Sequence, residues 1–443
     1  MAFFNTFYKA ELFFSDKRCC LFCISLTYSY LCTQMNNRLL LFSLVFFVCL
    51  FPVNGQTADD RTILDFRRMG IPFYWDNEVR LLVTGPIKFQ DMFAEIENAR
   101  SFIHMDYFKF QEDSICNVLF EILKRKAKQG VKIRIVYDDF GNKCSDLPLS
   151  KNFINDVRSS GIEIEAFDKF RFPWINHVFH RDHHKIAIID GNVCYTGGMN
   201  VADYYLHGKP KVGEWRDMHI RLYGSIVDGY EQIFERMWYV VTGELLTPGA
   251  FRGEDRSSGH VLVALTDRIP RLSPDMMRKT YCTAIDNAQK IIQIVNPYPC
   301  LSNPIRKALN NALARGVRVQ FMVSEKSDGQ ANADVTGIEM KKLMMRGAEI
   351  YYYQGGFHHS KFMMIDSLFC TVGTTNLDAR SLKFDYEVNS FIFSPKTTAE
   401  LQEVFRKDVE QHCYLLTPET WNTLFPKSRR IRARIFMAIK GLL

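Results

Sequence analysis

The chain has 443 residues, 47% of them hydrophobic and 24% charged, which excludes a disordered or fibrous chain and leaves room for two domains of ordinary size. The net charge of +7 is modest and spread along the chain, so composition does not mark a nucleic-acid binder. It favours an anionic partner, either a lipid surface or a phosphate-bearing substrate. Seven cysteines from Cys116 to Cys413 are scattered without ligand-like spacing, and the Cys20-x-x-Cys23 pair sits alone in an apolar stretch. Neither a metal site nor a disulfide framework is expected.

The first element is a targeting or anchoring segment. Met35-Asn-Asn-Arg38 supplies a short positive start, Leu39 to Leu50 is an almost unbroken apolar run, and Val53 and Gly55 offer small residues before Gln56. This is the layout of a secretory signal peptide, with Met35 a plausible start and residues 1–34 an upstream extension. The run is short of the roughly twenty apolar residues that a full span needs. A competing reading pairs it with Cys20–Leu31 as two short anchors. Residues 1–55 are thus set apart as extension plus signal peptide or anchor.

The rest of the chain repeats itself. Ile96-Glu-Asn-Ala runs into the apolar stretch ending at Tyr107, as Ile285-Asp-Asn-Ala runs into the stretch ending at Tyr298. Helical spacing over 118–129 and 305–315 leads in both cases into a Gly-Val strand, at Gly130 and at Gly316. The glycine suits a helix C-cap and the alternating β-branched run suits a strand. Second helix-to-strand passages follow at Gly161 and Gly347. Gly130 to Gly316 and Gly161 to Gly347 share one offset, and His183 to His359 and Asn200 to Asn376 share another, ten shorter. The first half therefore carries about ten extra residues, placed in the aromatic stretch Phe170–Phe179. Alternating strands and helices predict an α/β sandwich in each half. The expected division is 56–247 for the first domain, 248–259 for a linker, 260–426 for the second domain and 427–443 for a tail.

Two motifs carry chemistry. His183-His-Lys185 is followed by four residues and Asp190, then six and Gly197, with Asn200 three further on. His359-Ser-Lys361 is followed at the same spacings by Asp366, Gly373 and Asn376. On a strand, His and Lys two apart point to one face and can both reach one phosphate. The small residue is expected to let backbone approach that phosphate, and the asparagine to donate to it. The doubled histidines at His184 and His358 suggest a metal dyad, but adjacent strand residues face opposite ways, so neither is expected in the site.

Both segments resemble the HKD motif of the phospholipase D superfamily. The resemblance implies two tandem phospholipase D-like α/β/α domains, packed as a pseudo-symmetric pair around one active site. One histidine attacks phosphorus to form a phosphohistidine, and the other serves as acid and then base, without metal or other cofactor. His183 is taken as the nucleophile and His359 as the acid/base, although either could fill either role. Lys185, Lys361, Asn200 and Asn376 would hold the phosphate oxygens. Asp190 and Asp366 look structural. Asp217 and Glu387, downstream of the two motifs, stand where the family has an acid that orients an active-site histidine.

Nearly all of the chain after residue 60 is similar to bacterial cardiolipin synthase. Tyr195-Thr-Gly-Gly-Met-Asn200, Trp215-Arg-Asp217, Asn296-Pro-Tyr298, Gly373 to Ser381 and Leu416 to Trp421 carry that similarity. Two departures are the short apolar run in place of two long membrane helices, and Thr374 where serine is common. The implied reaction joins two phosphatidylglycerols into cardiolipin and glycerol. The implied partner is phosphatidylglycerol or another anionic phospholipid, with no nucleic acid. The implied place is a bacterial cell membrane, with the catalytic domains on its periplasmic or outer side. The basic stretch 427–443 reads as an amphipathic helix on anionic lipid, or as a tail packed on the domain. A phospholipase that uses water as acceptor is the main alternative. A nuclease would call for a dense basic groove that is not evident in the sequence, and a non-catalytic membrane binder would leave two intact motifs without use.

Overall fold

The computed structural model describes residues 57–169, 179–247, 249–253 and 259–441. The signal-type segment, the Cys20/Cys23 pair and most of the Phe170–Phe179 stretch lie outside them. Among the described residues no helix is long and apolar enough to cross a membrane.

The first half supplies strands β1 (Phe73–Leu82), β2 (Phe102–Tyr107), β3 (Lys132–Asp138), β4 (Glu163–Phe167), β5 (Lys185–Ile189), β6 (Val193–Gly197), β7 (Trp215–Arg216) and β8 (His219–Tyr223). The second supplies β9 (Val261–Arg268), β10 (Ile291–Val295), β11 (Arg318–Ser324), β12 (Glu349–Tyr353), β13 (Phe357–His358), β14 (Phe362–Ile365), β15 (Phe369–Gly373), β16 (Glu387–Phe393) and β17 (Cys413–Leu415). All but β7 and β13 join one 15-stranded sheet, in the order β17-β12-β11-β10-β14-β15-β16-β9-β1-β8-β6-β5-β2-β3-β4. Apart from the terminal β17, the order read outward from the central β9–β1 pair is the same in both directions. The chain is therefore a duplicated α/β fold whose halves share a sheet.

Local chemistry explains the elements. Asp113 caps the helix Ser114–Lys128 by accepting from Cys116 N, and Gly130 beyond its end takes φ +92°. Gly316 does the same after the helix Asn303–Ala314, at φ +84°. Left-handed backbone at these ends favours glycine and turns the chain back into β3 and β11. β2, β5 and β6 are buried at every position, because helices cover both faces of the sheet. On one face each half has its own apolar core. On the other, Ile186, Ile220 and Trp238 share a single core with Met322, Phe362 and Phe405 from the second half. β4 ends eighteen residues before Lys185, whereas β12 ends eight before Lys361, so the extra ten residues lie in that connection.

Two placements were not indicated by chain order. The helix Ala58–Arg68 precedes β1 but packs in the second half's core, its Phe66 ring edge-on to Phe391 at 4.9 Å. The helix Lys427–Ile439 packs against the helix Gln330–Met344, with Arg429 2.8 Å from Asp334 and Ala433 fully buried.

Candidate active site

The two His-x-Lys segments enter the sheet where parallel strands end. Lys185 pairs with Tyr107 at the carboxyl end of β2, and Phe362, next to Lys361, pairs with Val295 at the end of β10. Such ends are where open α/β sheets place ligands. His183, His359, Asn200 and Asn376 all line one cavity of about 430 Å³ there. Lys185 donates to the His183 carbonyl at 2.7 Å. Lys361 donates to the His359 carbonyl at 2.5 Å, and its Nζ lies 2.9 and 3.0 Å from the two ring nitrogens.

Each histidine is held by the other half. His183 Nδ1 is 2.8 Å from Glu387 Oε1, and His359 Nδ1 is 2.7 Å from Asp217 Oδ2. The backbone builds the crossing. β7 and β13 form a small parallel ribbon across the halves, and His359 N donates to Arg216 O at 2.6 Å. On the opposite side His183 N donates to Tyr386 O at 3.1 Å, next to a bridge between Asp182 and Tyr386. Thr374 Oγ1 donates to the other Glu387 oxygen, and Asp217 Oδ1 accepts from Met218 N at 2.7 Å. Gly198 leaves room for that acid, since a Cβ there would fall 2.1 Å from Asp217 Oδ1.

The motif glycines pack closely against neighbouring strands. A Cβ on Gly197 would meet Met218 O at 2.6 Å, and one on Gly373 would meet Val388 O at 2.4 Å. Their closest neighbours lie at the start of β8 and in β16, so their smallness serves strand packing.

Burial sets the electrostatics. It pulls His183 down to about 4, with Glu387 pulling back and Lys185 adding to the fall. Burial and then Lys361 bring His359 down to about 4. Lys185 falls to about 7 and Lys361 to about 8, chiefly by burial. Buried bases that repel one another in this way gain most from a bound anion, which would raise all four. The amide oxygens of Asn200 and Asn376 are buried without a partner among the described residues, so each offers a free acceptor in the cavity wall.

Asp190 and Asp366 stand apart from the cavity. Asp190 accepts from the backbone of Arg100, Ser101 and Phe102 at 2.7–2.9 Å, and Asp366 from Gln289, Lys290 and Ile291 at 2.6–2.7 Å. Both have positive φ, +51° and +52°. Alanine at either position loses three charge-assisted bonds and keeps a left-handed backbone it disfavours. Asp190→Ala is expected to cost about 3 kcal/mol of stability and Asp190→Asn about half of that. Urea denaturation checks the loss, with turnover per folded molecule retained.

His184 and His358 turn away from the cavity. His184 Nδ1 lies between Asp182 at 2.9 Å and Asp106 at 3.2 Å, all fully buried. Burial alone would lower this histidine, but the two carboxylates push it up to about 10. The three form a buried ion cluster behind the first motif. His358 Nε2 lies 3.3 Å from Asp408, which also binds Arg216. Aromatic rings frame the two histidines: Phe108 lies 5.0 Å from the His183 ring, and Trp215 5.3 Å and Tyr298 5.9 Å from that of His359. Lys109, Asp328 and Arg380 also line the cavity, although none is identified as a site residue from the sequence.

Comparison with known proteins agrees with this geometry. The family described as cardiolipin synthase, phospholipase D-like domain, matches residues 92–238 and 281–409. The cardiolipin synthase of Listeria monocytogenes serotype 4a is 32% identical over 369 residues, covering 82% of this chain and 76% of its own. The probable cardiolipin synthase YwiE of Bacillus subtilis is 33% identical over 343 residues, covering 76% and 66%. The crystal structure of phosphatidylserine synthase from Haemophilus influenzae superposes with a TM-score of 0.66 at 14% identity, over 86% of this chain and all of the other, a likeness of fold. The duplicated sheet, the paired His-x-Lys segments and these relatives together make the chain a member of the cardiolipin synthase family of phospholipase D-like proteins.

Proposed function

We infer that this chain is a cardiolipin synthase, a phosphatidyltransferase that converts two phosphatidylglycerols into cardiolipin and glycerol. The observation that carries the reading is the crossed pair. Two histidines, each with Nδ1 tied to a carboxylate of the other half, line one cavity, and the buried Lys185 and Lys361 bond to their carbonyls. Nδ1 tethering fixes the tautomer that leaves Nε2 for chemistry, as in other His–acid pairs.

In the proposed mechanism His183 Nε2 attacks the phosphorus of the first phosphatidylglycerol. The P–O bond to the glycerol headgroup breaks, and His359 gives its proton to the departing alkoxide. Glycerol leaves and the phosphatidyl group stays on His183. His359, now neutral, takes the proton from a headgroup hydroxyl of a second phosphatidylglycerol. That oxygen attacks phosphorus, the P–N bond breaks, and cardiolipin forms. Lys185, Lys361, Asn200 and Asn376 offset the charge on the non-bridging oxygens. Glu387 and Asp217 stabilise the charged imidazoles, and Asp190 and Asp366 brace the turns after each motif strand.

The substrate is a bilayer lipid, so the enzyme works at a membrane surface. The signal-type segment before residue 56 supports a place for the catalytic body on the outer side of that membrane. Purified protein incubated with phosphatidylglycerol vesicles is expected to yield cardiolipin and free glycerol in equal amounts. Phosphatidic acid as the main product would make water the acceptor and overturn the synthase reading.

A further inference from the structure

One helix presents two unlike faces. On the inner face of Lys427–Ile439, Arg429 and Arg432 pair with Asp334 at 2.8 and 2.5 Å, and just beyond the helix Lys440 pairs with Glu339 at 3.0 Å. Both acids have fully buried side chains. On the outer face Ile431, Ile435 and Ile439 are 54%, 63% and 47% exposed. Positions four apart lie in one row along a helix. A single exposed isoleucine is ordinary, but a row of three on a basic helix marks an interaction surface.

The charge around that row selects its occupant. The helix carries Lys427, Arg429, Arg430, Arg432 and Arg434 and no acid. Among the described residues, Lys427, Arg430 and Arg434 have no carboxylate partner. An apolar row on a helix whose Lys427 and Arg434 have no carboxylate partner suits an anionic bilayer, where isoleucines enter the acyl boundary and cations meet phosphates.

The helix also sits beside the cavity. Asp334 belongs to the helix Gln330–Met344, and Asp328, Gly329 and Asn332 at that helix's start line the cavity. Lys440 Nζ donates to Leu301 O at 3.1 Å, three residues beyond the cavity residue Tyr298. A bilayer seated on the isoleucine row would therefore be one helix removed from residues that line the cavity.

We propose that the helix Lys427–Ile439 docks this enzyme on an anionic phospholipid bilayer through Ile431, Ile435 and Ile439, beside the catalytic cavity. The proposal rests on the phospholipid substrate inferred above. Ile435→Trp in the full chain places a fluorophore on the row, and vesicles with bromine-labelled acyl chains quench whatever enters them. The variant is expected to show quenching beyond the wild-type background on phosphatidylglycerol vesicles and little on phosphatidylcholine vesicles. No added quenching on phosphatidylglycerol overturns the docking, and equal quenching on both overturns its charge selection.

A second arm reads turnover. Ile431→Ser, Ile435→Ser and Ile439→Ser combined are expected to lower activity on phosphatidylglycerol vesicles about tenfold. Activity on a short-chain phosphatidylglycerol dispersed as monomers should stay within about twofold, because the cavity is untouched. Unchanged vesicle activity overturns the proposal. So does a lipid-free dimer that the triple variant abolishes, since a second copy would then be the occupant. Should the wild type yield no cardiolipin from either substrate form, the synthase reading fails, while the quenching arm still decides the docking.

Discussion

His183→Ala and His359→Ala are each expected to lower cardiolipin formation by roughly 10⁴-fold while leaving the fold intact. Both rings lie at the wall of a cavity and outside the apolar cores, so truncation removes chemistry more than packing. The losses should not add in the double variant, because in the proposed mechanism the two histidines act together on one bond. Rates on phosphatidylglycerol vesicles, with unfolding curves measured in parallel, check both points. A loss of only a few-fold in either variant would mean that its histidine is not at the reacting phosphorus.

The second large effect follows from the crossing. Glu387→Gln is expected to cost about 10²- to 10⁴-fold and to do so through His183, although Glu387 belongs to the other half. Asp217→Asn should act likewise through His359. The sign with pH separates Glu387 from a merely structural residue. Burial lowers the His183 pKa to about 4, and Glu387 is the largest force holding it up. In the proposed mechanism neutral His183 is the attacking form, so the acid limb of kcat/KM is expected below the usual histidine value of about 6.5. Removing the Glu387 charge shifts His183 further down, and the limb moves to lower pH as the plateau falls. Profiles of wild type and Glu387→Gln check this; a limb that moves up, or stays in place with an unchanged plateau, contradicts the pairing.

Much of the fold is legible in the chain because duplication leaves local marks. Gly130 and Gly316 sit at equal offsets because both helices end in left-handed backbone, where other residues are strained. The strands after His183 and His359 are legible because their runs are buried on both faces. Pairing between halves is not legible. Asp217 lies 34 residues after His183 and Glu387 28 after His359, yet each meets the other histidine, since β7 pairs with β13 across the halves. Nothing local in Ala58–Arg68 says that Phe66 will meet Phe391 more than three hundred residues away. Gly197 and Gly373 show a subtler limit: the need for a small residue is visible, but strand packing and phosphate approach leave the same mark in one dimension. The basic spacing at 427–440 likewise shows an amphipathic helix but not that Asp334 and Glu339 receive its inner face.

The central claim is that one phosphatidyl group is held on His183 while His359 moves protons. A phosphatidyl ester of p-nitrophenol tests it most directly, because its leaving group departs without an acid. His359→Ala should release a burst of one nitrophenolate per enzyme and then stall, with mass spectrometry finding the phosphatidyl adduct on His183. His183→Ala should give no burst. An adduct on His359, or a burst retained in His183→Ala, would contradict the account.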